Sequence, residues 1–550
     1  MAALAGVLLL LVTHLARAAS TPPVVEQRTV AEPLASAAQQ CEGVSCLQSY
    51  VDFDDGHFSY EDLQVSFRGR DLLSGVSWQA HVLNMTSQKW LTASEVSQSV
   101  WWHILVVVVP DNLQHTSNGV LWITGGDNKI TSTPIPNAKD EDVNIAAYLA
   151  CHSGIVSAAL YQVPNQPLYF ASDPTHKRRV EDASIAFTWK HFVEVDPNTP
   201  EWLLRFPMTK AAKRALDAVE DWTAKQNIPV KTWAAGGASK RGWTTWTLGA
   251  VVPSTRLPVI FPVVMDDLNF VANLHHHYRA YGGWSFALGD YYSLNFTSQI
   301  DNPNTKLMQT YIDPYFYPER YSDKAILVVN SCMDEFFLPD DTRWWWKSME
   351  GQKDFLIVPN AEHTEITGIL EILPSAVTLL RARLHGIPAP KFNWTIDAND
   401  GHITVYQISA HKPKAVHMWH AETCNSERRD FRILNGDPPE KCKRCGRPIK
   451  GPFGSTCVNL RSFWTPTRLS EHAPGVWKAS RPVPTDGRWV AFFVHVAYEG
   501  PARPKSSRRA LHDWPIGRDG DFEFTTEVSI LPQTFPFPDC HGPSCRGKLV

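Results

Sequence analysis

This 550-residue chain has little of several features that would assign it to a class at once. Its 52 Lys and Arg nearly balance its 56 Asp and Glu, and the formal net charge of −4 gives no basis for binding a polyanion such as a nucleic acid. There is no internal repeat and no long low-complexity tract, which argues against a repeat architecture. Beyond the first twenty residues, no apolar run has the length that a membrane helix needs.

The first twenty residues, MAALAGVLLLLVTHLARAAS, have the pattern of a secretory signal. An apolar core from Leu4 to Val12, too short to span a bilayer, is followed by the small-residue pattern Ala16-Arg17-Ala18. We therefore expect residues 1–19 to be a cleaved signal peptide and 20–44 a disordered leader. The mature protein should be secreted, or lumenal in a secretory organelle, with no membrane span.

Two further features agree with export. The ten cysteines are an even number, as in a disulfide-bonded protein. Asn-x-Ser/Thr sequons predict glycosylation at Asn84, Asn295 and Asn393.

A chain of this length predicts two or three domains. Up to about residue 388, apolar β-rich segments alternate with helical patterns, and most of these segments are continuous apolar runs rather than alternating ones. That pattern is typical of a mostly parallel sheet covered by helices on both faces, so the predicted fold class is α/β. The predicted strands are 104–110, 120–124, 155–160, 230–235, 258–264, 325–330 and 354–359.

Two segments have helical patterns that can be delimited. Residues 208–229 predict a helix with Thr209 as its cap and with Asn227 and Pro229 at its end. After the last strand, residues 366–386 predict a helix that Pro374 kinks or begins anew.

The chain changes character near Pro388. Segments such as GHITVYQISA and WVAFFVHVAYEG are β-rich with turn-forming breaks, which predicts a smaller all-β, sandwich-like domain. The resulting division comprises an α/β domain over 45–388 with a cap region at about 265–320, a β-rich domain over 389–535 with a cysteine-rich insert at 424–457, and a tail over 536–550.

The segment KTWAAGGASKRGWTTWTLGA, residues 231–250, contains the candidate nucleophile Ser239. It follows a predicted buried strand and opens a predicted helix, the context of a nucleophile elbow. Gly237 supplies the small residue two places before the serine, but the place two after is Arg241, and Gly242 comes one place late. The G-x-S-x-G motif is therefore not met, and the alternative is a serine that caps a helix.

Candidate partners for Ser239 follow the last two strands in the order that a hydrolase requires. Asp334 and His363 each lie four residues beyond a predicted strand end, and the interval between them has room for a helix over 340–350 and one strand. His363 would take the proton of Ser239, and Asp334 would orient the imidazole. The backbone N–H of Lys240 and that of Gly125 or Gly126 would bind the oxyanion. Other acids near these strand ends remain alternatives to Asp334, namely Asp340, Asp341, Glu335, Asp266 and Asp267.

Several motifs resemble the PhoPQ-activated pathogenicity-related family, among them GGASKRGWTTW, MDEFFLPDDTRWWW, PNAEH and FPMTKAAKRALDAVEDW. The resemblance covers roughly residues 45–535. It implies an α/β-hydrolase fold, kinship with prolyl and dipeptidyl serine peptidases, and a β-rich C-terminal domain. The arginine at position 241 is shared by that family, so the altered elbow is a family trait.

These observations predict a secreted serine hydrolase that needs no cofactor and acts on a peptide more readily than on an ester. The alternative is a secreted signalling protein, like the proliferation repressors in that family, which keeps the hydrolase scaffold to bind a cell-surface receptor.

The cysteines and histidines allow further predictions. Cys424, Cys442, Cys445 and Cys457 have the residue types of a zinc site, but disulfides are expected in an oxidising compartment. Cys41/Cys46 and Cys540/Cys545 either close short loops or cross-link the termini, and Cys151 and Cys332 should be buried. His275, His276 and His277 are expected in the cap rather than at a metal. Lys240 and Arg241 are either solvated or bind a substrate carboxylate.

Overall fold

The computed structural model describes residues 41–128, 135–436, 439–451, 454–501 and 520–550. The predicted signal peptide and nearly all of the predicted leader lie outside these ranges. Within them, no helix combines the length and the apolar character needed to cross a membrane.

Nine strands form the main sheet. In chain order they are β1 Ser59–Arg70, β2 Ser77–Lys89, β3 Val100–Pro110, β4 Asn118–Ile123, β5 Val156–Leu160, β6 Thr232–Ala238, β7 Val259–Val263, β8 Ala325–Ser331 and β9 Gln352–Val358. Their order across the sheet is β1-β2-β3-β5-β4-β6-β7-β8-β9. The first three are antiparallel, β3 pairs antiparallel with β5, and the other pairings are parallel.

The seven strands predicted from apolar runs are β3 to β9, and the predicted α/β class is confirmed. Every residue of β5, β7 and β8 is buried, because helices cover both faces of this part of the sheet. The carboxyl ends of β4, β6, β7, β8 and β9 therefore meet at one edge of the sheet, where ligand sites of open α/β sheets usually lie.

Nine helices accompany the main sheet in the described part of the chain: α1 Val44–Asp52, α2 Glu141–Ser153, α3 Asp182–Glu194, α4 Arg205–Lys225, α5 Lys240–Val251, α6 Phe270–Tyr281, α7 Gly289–Ser293, α8 Pro303–Ile312 and α9 Ile369–Leu384. A tenth, α10 Pro439–Cys445, belongs to the cysteine-rich insert.

Three local predictions were wrong. Thr209 does not cap a helix but lies inside α4, where its hydroxyl donates to the Arg205 carbonyl at 2.7 Å. Of the two alternatives for Pro374, a kink or a new helix, the second was wrong, because Pro374 lies inside α9. The helix expected between Asp334 and His363 is replaced by two short 3₁₀ turns, because Trp345 is drawn into the core and donates to Asp266.

The C-terminal part consists of antiparallel sheets, as predicted. One sheet contains β10 Phe392–Ile396, β11 Ile403–Gln407 and β17 Val476–Ala479; the largest contains β12 Ala415–Glu422, β16 Thr465–Arg468, β18 Val490–Glu499, β19 Asp521–Thr525 and β20 Ser529–Leu531; the insert contains β13 Leu434–Asn435, β14 Gly446–Gly451 and β15 Gly454–Asn459. Thr525 of β19 bonds to the backbone of β9, which joins the largest of these sheets to the edge of the main sheet. The domain boundary at residue 388 remains a prediction.

Four disulfides account for eight of the cysteines. Cys424 pairs with Cys445 and Cys442 with Cys457, so the zinc alternative for these four residues was wrong. Cys41–Cys46 and Cys540–Cys545 close short loops rather than linking the termini. Cys151 and Cys332 are free and buried, as expected.

The three sequons differ in accessibility. Asn295 and Asn393 are exposed. Asn84 lies in β2 between two neighbouring strands, and its side-chain oxygen is buried. Asn295 and Asn393 are thus more accessible than Asn84, and glycosylation at the three sites remains a prediction.

Candidate active site

Ser239 lies on the turn between β6 and α5 with φ 57° and ψ −125°. A side chain other than glycine rarely adopts a positive φ, and such strain is concentrated at functional sites. The Ser239 side chain makes no capping bond to α5, so the capping alternative is not supported. Its backbone N–H donates to the Val263 carbonyl at 2.9 Å, which fastens the turn to β7.

Two glycines allow the turn to pack against neighbouring strands. A Cβ on Gly237 would lie 2.8 Å from the Ile123 carbonyl oxygen, and one on Gly242 would lie 2.7 Å from that of Val263. The close approach that normally requires glycine two places after the serine occurs here three places after it. The residue at 241 is therefore free to carry a long side chain.

That side chain, Arg241, is anchored inside the protein. Its guanidinium donates twice to Glu181, at 2.7 and 2.6 Å, and its Nε donates to the Val163 carbonyl at 2.6 Å. Arg241 also lies against the loop that follows β4, where a Cβ on Gly125 would be 2.6 Å from its Nη2. Arg241 thus ties the first turn of α5 to the loop expected to supply an oxyanion donor.

Lys240 is held in the same cluster. Its Nζ lies 3.0 Å from both Glu181 and Asp182. Burial alone would raise the pKa of Glu181, but the Arg241 and Lys240 cations outweigh burial and hold that pKa well below its usual range. The prediction that the basic pair is solvated was wrong, because each cation has an internal carboxylate. The alternative, that the pair binds a substrate carboxylate, stays a prediction.

His363 connects Ser239 to Asp334. Its Nε2 lies 2.8 Å from Ser239 Oγ, and its Nδ1 lies 2.7 Å from Asp334 Oδ2. Asp334 Oδ1 accepts the backbone N–H groups of Phe336 and Phe337, which fixes the carboxylate. The three side chains predicted from separate strand ends therefore lie in one hydrogen-bonded chain.

The alternative acids do not contact this imidazole. Asp340 bonds to His276 and Arg429, Asp341 accepts the Leu338 N–H, and Asp266 accepts the Trp345 indole N–H. Glu335 contacts only the backbone N–H of His363, at 3.1 Å. Asp267 faces a pocket beside Ser239.

The charges around His363 favour its protonated form. Burial alone would lower the pKa of His363, but the charge and hydrogen bond of Asp334 outweigh burial and raise it above the ordinary 6.5. Burial, with Asp334 nearby, raises the pKa of Glu335 to about 8.

The predicted oxyanion donors lie in the first turn of α5 and in the loop after β4, the two segments that Arg241 connects. Lys240 is the first residue of α5, where a backbone N–H has no acceptor within its helix. Gly125 and Gly126 follow β4; the Gly125 carbonyl accepts the Gln162 N–H at 2.6 Å, and Gly126 has a φ of 131°. A role for their N–H groups in binding an oxyanion remains a prediction.

An apolar pocket opens beside Ser239. More than half of its lining residues come from the predicted cap region, 265–320, and the rest come mainly from α3, α5 and the loop after β8. The lining side chains include Trp189, Trp243, Met265, Leu274, Trp284, Leu288, Tyr291, Phe296, Phe336 and Phe337.

The three consecutive histidines 275–277 form hydrogen bonds within the protein. His277 Nε2 accepts the Ser285 N–H, and His276 bonds to Asp340. His275 bonds to Asp301 and Asp539; it also lies within 4.8 Å of Cys540 and Cys545, but the disulfide between those cysteines removes both thiolates.

Sequence reasoning missed Glu181 and Asp182, which hold the basic pair, and the two phenylalanines whose N–H groups bind Asp334. The two adjacent acids Glu181 and Asp182 match the adjacent bases Lys240 and Arg241 in number and are opposite in charge, which was the available signal.

The chain is similar to several known proteins. The PhoPQ-activated pathogenicity-related protein family matches residues 47–432. Autocrine proliferation repressor protein A of Dictyostelium discoideum is 33% identical over 476 residues, covering 84% of this chain and 87% of that protein. Among solved structures, acetyl xylan esterase 1 from Thermoanaerobacterium sp. aligns with a TM-score of 0.38 at 14% identity, over 64% of this chain and 99% of that one. A ligand-bound form of the rice cell wall degrading esterase LipA from Xanthomonas oryzae aligns with a TM-score of 0.36 at 11% identity, over 61% of this chain and 100% of that one. The family match and the extent of the 33% identity show that this chain belongs to the PhoPQ-activated pathogenicity-related protein family.

Proposed function

We propose that this protein is a serine hydrolase that transfers the acyl group of its substrate to Ser239 and then to water. The observation that carries the proposal is the hydrogen-bonded chain from Ser239 through His363 to Asp334, with the serine on a strained turn between strand and helix. This arrangement supplies a nucleophile, a base within reach of its proton, and a carboxylate that orients the base.

The proposed reaction has two halves. Ser239 Oγ attacks the substrate carbonyl carbon while its proton passes to His363 Nε2, and the imidazolium is stabilised by Asp334. The bond to the leaving group then breaks, and the leaving amine or alcohol takes the proton from Nε2. Water attacks the acyl-enzyme in the same way, which releases the acid and restores the serine.

The negative oxygen of each tetrahedral intermediate needs donors that are already in position. The Lys240 N–H and an N–H of Gly125 or Gly126 are the proposed donors. Arg241 supports this assignment, since it bonds to Glu181 and Val163 and packs against Gly125. We interpret Arg241 as a positioning residue that holds the loop against the serine turn.

We propose that the substrate is a peptide rather than an ester. The proposed location is outside the cell or in a secretory lumen. The preference for peptides rests on the resemblance to prolyl and dipeptidyl peptidases, an argument by analogy. The disulfides agree with an oxidising compartment.

A parallel screen of dipeptide amides and short-chain esters tests the proposal. Wild-type protein should hydrolyse at least one class, and Ser239→Ala should abolish that activity. Ser322→Ala, at an exposed serine on the surface, is the matched control and should keep it. Activity that survives in Ser239→Ala would contradict the proposal.

A second candidate function is that of a signalling protein that binds a receptor without catalysis. It is favoured by the name of the 33%-identical relative, a proliferation repressor. A growth assay with purified wild-type and Ser239→Ala protein separates the two functions. Equal effects on cell proliferation would favour signalling, and loss of the effect in the variant would favour catalysis.

A further inference from the structure

Asp267 is a carboxyl group in the pocket beside Ser239, and it has no partner in the described part of the chain. The pocket contains two carboxylates, and the other one, Asp182, is bonded to Lys240 at 3.0 Å and to the Tyr291 hydroxyl at 3.1 Å. Asp267 makes no hydrogen bond or ion pair with any residue in the described ranges.

Asp267 does not cap α6. It comes three residues before the helix, and the N-cap position belongs to Asn269. Here Asp313 accepts the Phe270 N–H at 3.0 Å, and Gln309 accepts the Val271 N–H at 3.1 Å. The first N–H groups of α6 are therefore satisfied without Asp267.

The loop that carries Asp267 is strained. Val264, at the end of β7, has a φ of 42°, which is a marked outlier for a β-branched residue. Its N–H donates to the Val329 carbonyl at 2.7 Å, so pairing with β8 holds the strained conformation. Strain of this kind is typical of segments that position a functional group.

An unpaired carboxyl in such a pocket is costly to the fold. Burial, and to a lesser extent the nearby Asp313 charge, raises the pKa of Asp267 well above its ordinary value. A group that lowers stability and has no structural partner is expected where a ligand supplies the partner.

The walls of the pocket suit a cation. Trp189 packs against Trp243, Tyr291 and Phe296, and aromatic faces attract cations through their quadrupoles. Of the positive groups of the pocket, Lys240 pairs with two carboxylates. Arg205 donates to the Lys240 carbonyl and stacks on Trp243, and its Nε makes no hydrogen bond within the described residues. Asp267 is therefore the carboxyl group of the pocket that is open to a cationic ligand, and a bound cation would favour its carboxylate form.

We propose that Asp267 is a specificity-determining residue that binds a protonated amine of the substrate, with the aromatic walls enclosing the hydrocarbon that carries the amine. The substrate class is thus an amine-bearing acyl compound, such as a peptide with its free N-terminus in this pocket. The reaction of such a substrate rests on the proposed function, but the binding of its amine does not.

Calorimetric titration of the full chain with three small probes tests this inference without requiring turnover. The probes are 2-phenylethylamine, 2-phenylethanol and 3-phenylpropanoate, which share an aromatic ring and differ in charge. The proteins are wild type, Ser239→Ala, Asp267→Asn and the control Asp323→Asn, which changes an exposed aspartate. Thermal melts establish that each variant is folded.

The amine should bind wild type, Ser239→Ala and Asp323→Asn about ten- to a hundredfold more tightly than the alcohol, as one charge-assisted hydrogen bond provides. In Asp267→Asn this preference should disappear while the affinity for the alcohol is unchanged. The melting temperature of Asp267→Asn should equal or exceed that of wild type, since an amide avoids the buried carboxyl.

Three results would overturn the inference: equal binding of amine and alcohol by wild type, a preference for the amine that persists in Asp267→Asn, or tightest binding of the carboxylate, which would assign the pocket to Arg205. The first and third are read from wild type alone, so they hold even if the variant fails to fold. Amine binding by a protein that hydrolyses nothing would retain this inference and reject the proposed hydrolase.

Discussion

Two histidine–aspartate pairs have similar geometry, and both aspartates lie in the segment after β8. His363 lies 2.7 Å from Asp334, and His276 lies 3.0 Å from Asp340. Both aspartates are buried and lie six residues apart in the chain. The geometry of the pair alone therefore does not distinguish a reactive site from a structural one.

The surroundings of the other imidazole nitrogen distinguish the two pairs. His363 presents its other nitrogen to Ser239 at the pocket, and its side chain is 13% exposed. His276 is fully buried, its Nδ1 has no hydrogen-bond partner among the residues that the structure describes, and Asp340 is also bound by Arg429. Burial lowers the pKa of His276, and the Arg429 cation opposes the effect of Asp340, whereas Asp334 raises the pKa of His363. The first pair can gain and lose a proton during a reaction; the second holds the cap to the C-terminal part.

The largest contrast should come from exchanging each histidine for glutamine. His363→Gln removes the base that accepts the Ser239 proton and should lower kcat/KM by about 10³-fold or more. His276→Gln should leave kcat/KM per folded molecule close to the wild-type value. Steady-state kinetics corrected for the folded fraction measure both effects, and equal losses would invalidate the distinction.

The aspartates should differ in the same way. Asp334→Asn no longer holds the Nδ1–H tautomer of His363 and should lower kcat by about 10⁴-fold with little change in melting temperature. A large fall in melting temperature with normal kcat would instead identify Asp334 as structural.

Asp340→Asn should act on stability rather than on rate. The change leaves the Arg429 cation, which is 2% exposed, without its carboxylate. Breaking a buried pair in this way destabilises by about 3–5 kcal/mol. Chemical denaturation measures the loss, and an unchanged unfolding free energy would show that Arg429 finds another partner.

The pH dependence of the reaction should report His363. The imidazole must be neutral to accept the serine proton, so kcat/KM should fall as the pH drops through the pKa of His363. Since Asp334 raises that pKa, the acid limb should lie above pH 6.5. A limb at or below pH 6.5 would show that burial outweighs the aspartate.

The last expected effect concerns Glu335 and is read in stability alone. Its pKa of about 8 in the folded protein exceeds the ordinary 4.5, so the folded state holds a proton that the unfolded state loses between these values. Stability is therefore lost as the pH rises from 4.5 to 8, and Glu335→Gln should lessen that loss. Unfolding free energies of the two proteins across this interval test the sign; parallel curves would contradict it.

The sequence predicted what depends on local pattern. Strands β3 to β9 were predictable because strands that are buried on both faces are continuous apolar runs. Asp334 and His363 were predictable because catalytic groups follow strand ends in a fixed order along the chain.

What depends on packing between distant segments was not predictable. The three tryptophans 344–346 suggest a helix, but Trp345 is pulled into the core by Asp266. In the sequence Arg241 resembles a solvated charge, because its partners in the folded protein, Glu181 and Val163, are distant in the chain. The cysteine pairings likewise required coordinates, because four cysteines allow three connectivities.

Covalent labelling with a fluorophosphonate tests most directly whether Ser239 is a nucleophile activated by His363. Intact-mass and peptide mapping should show one adduct on folded wild-type protein, located on Ser239. The adduct should be absent from Ser239→Ala, form slowly in His363→Gln and form at the wild-type rate in His276→Gln. An unlabelled folded wild type, or an adduct that persists in Ser239→Ala, would contradict the account.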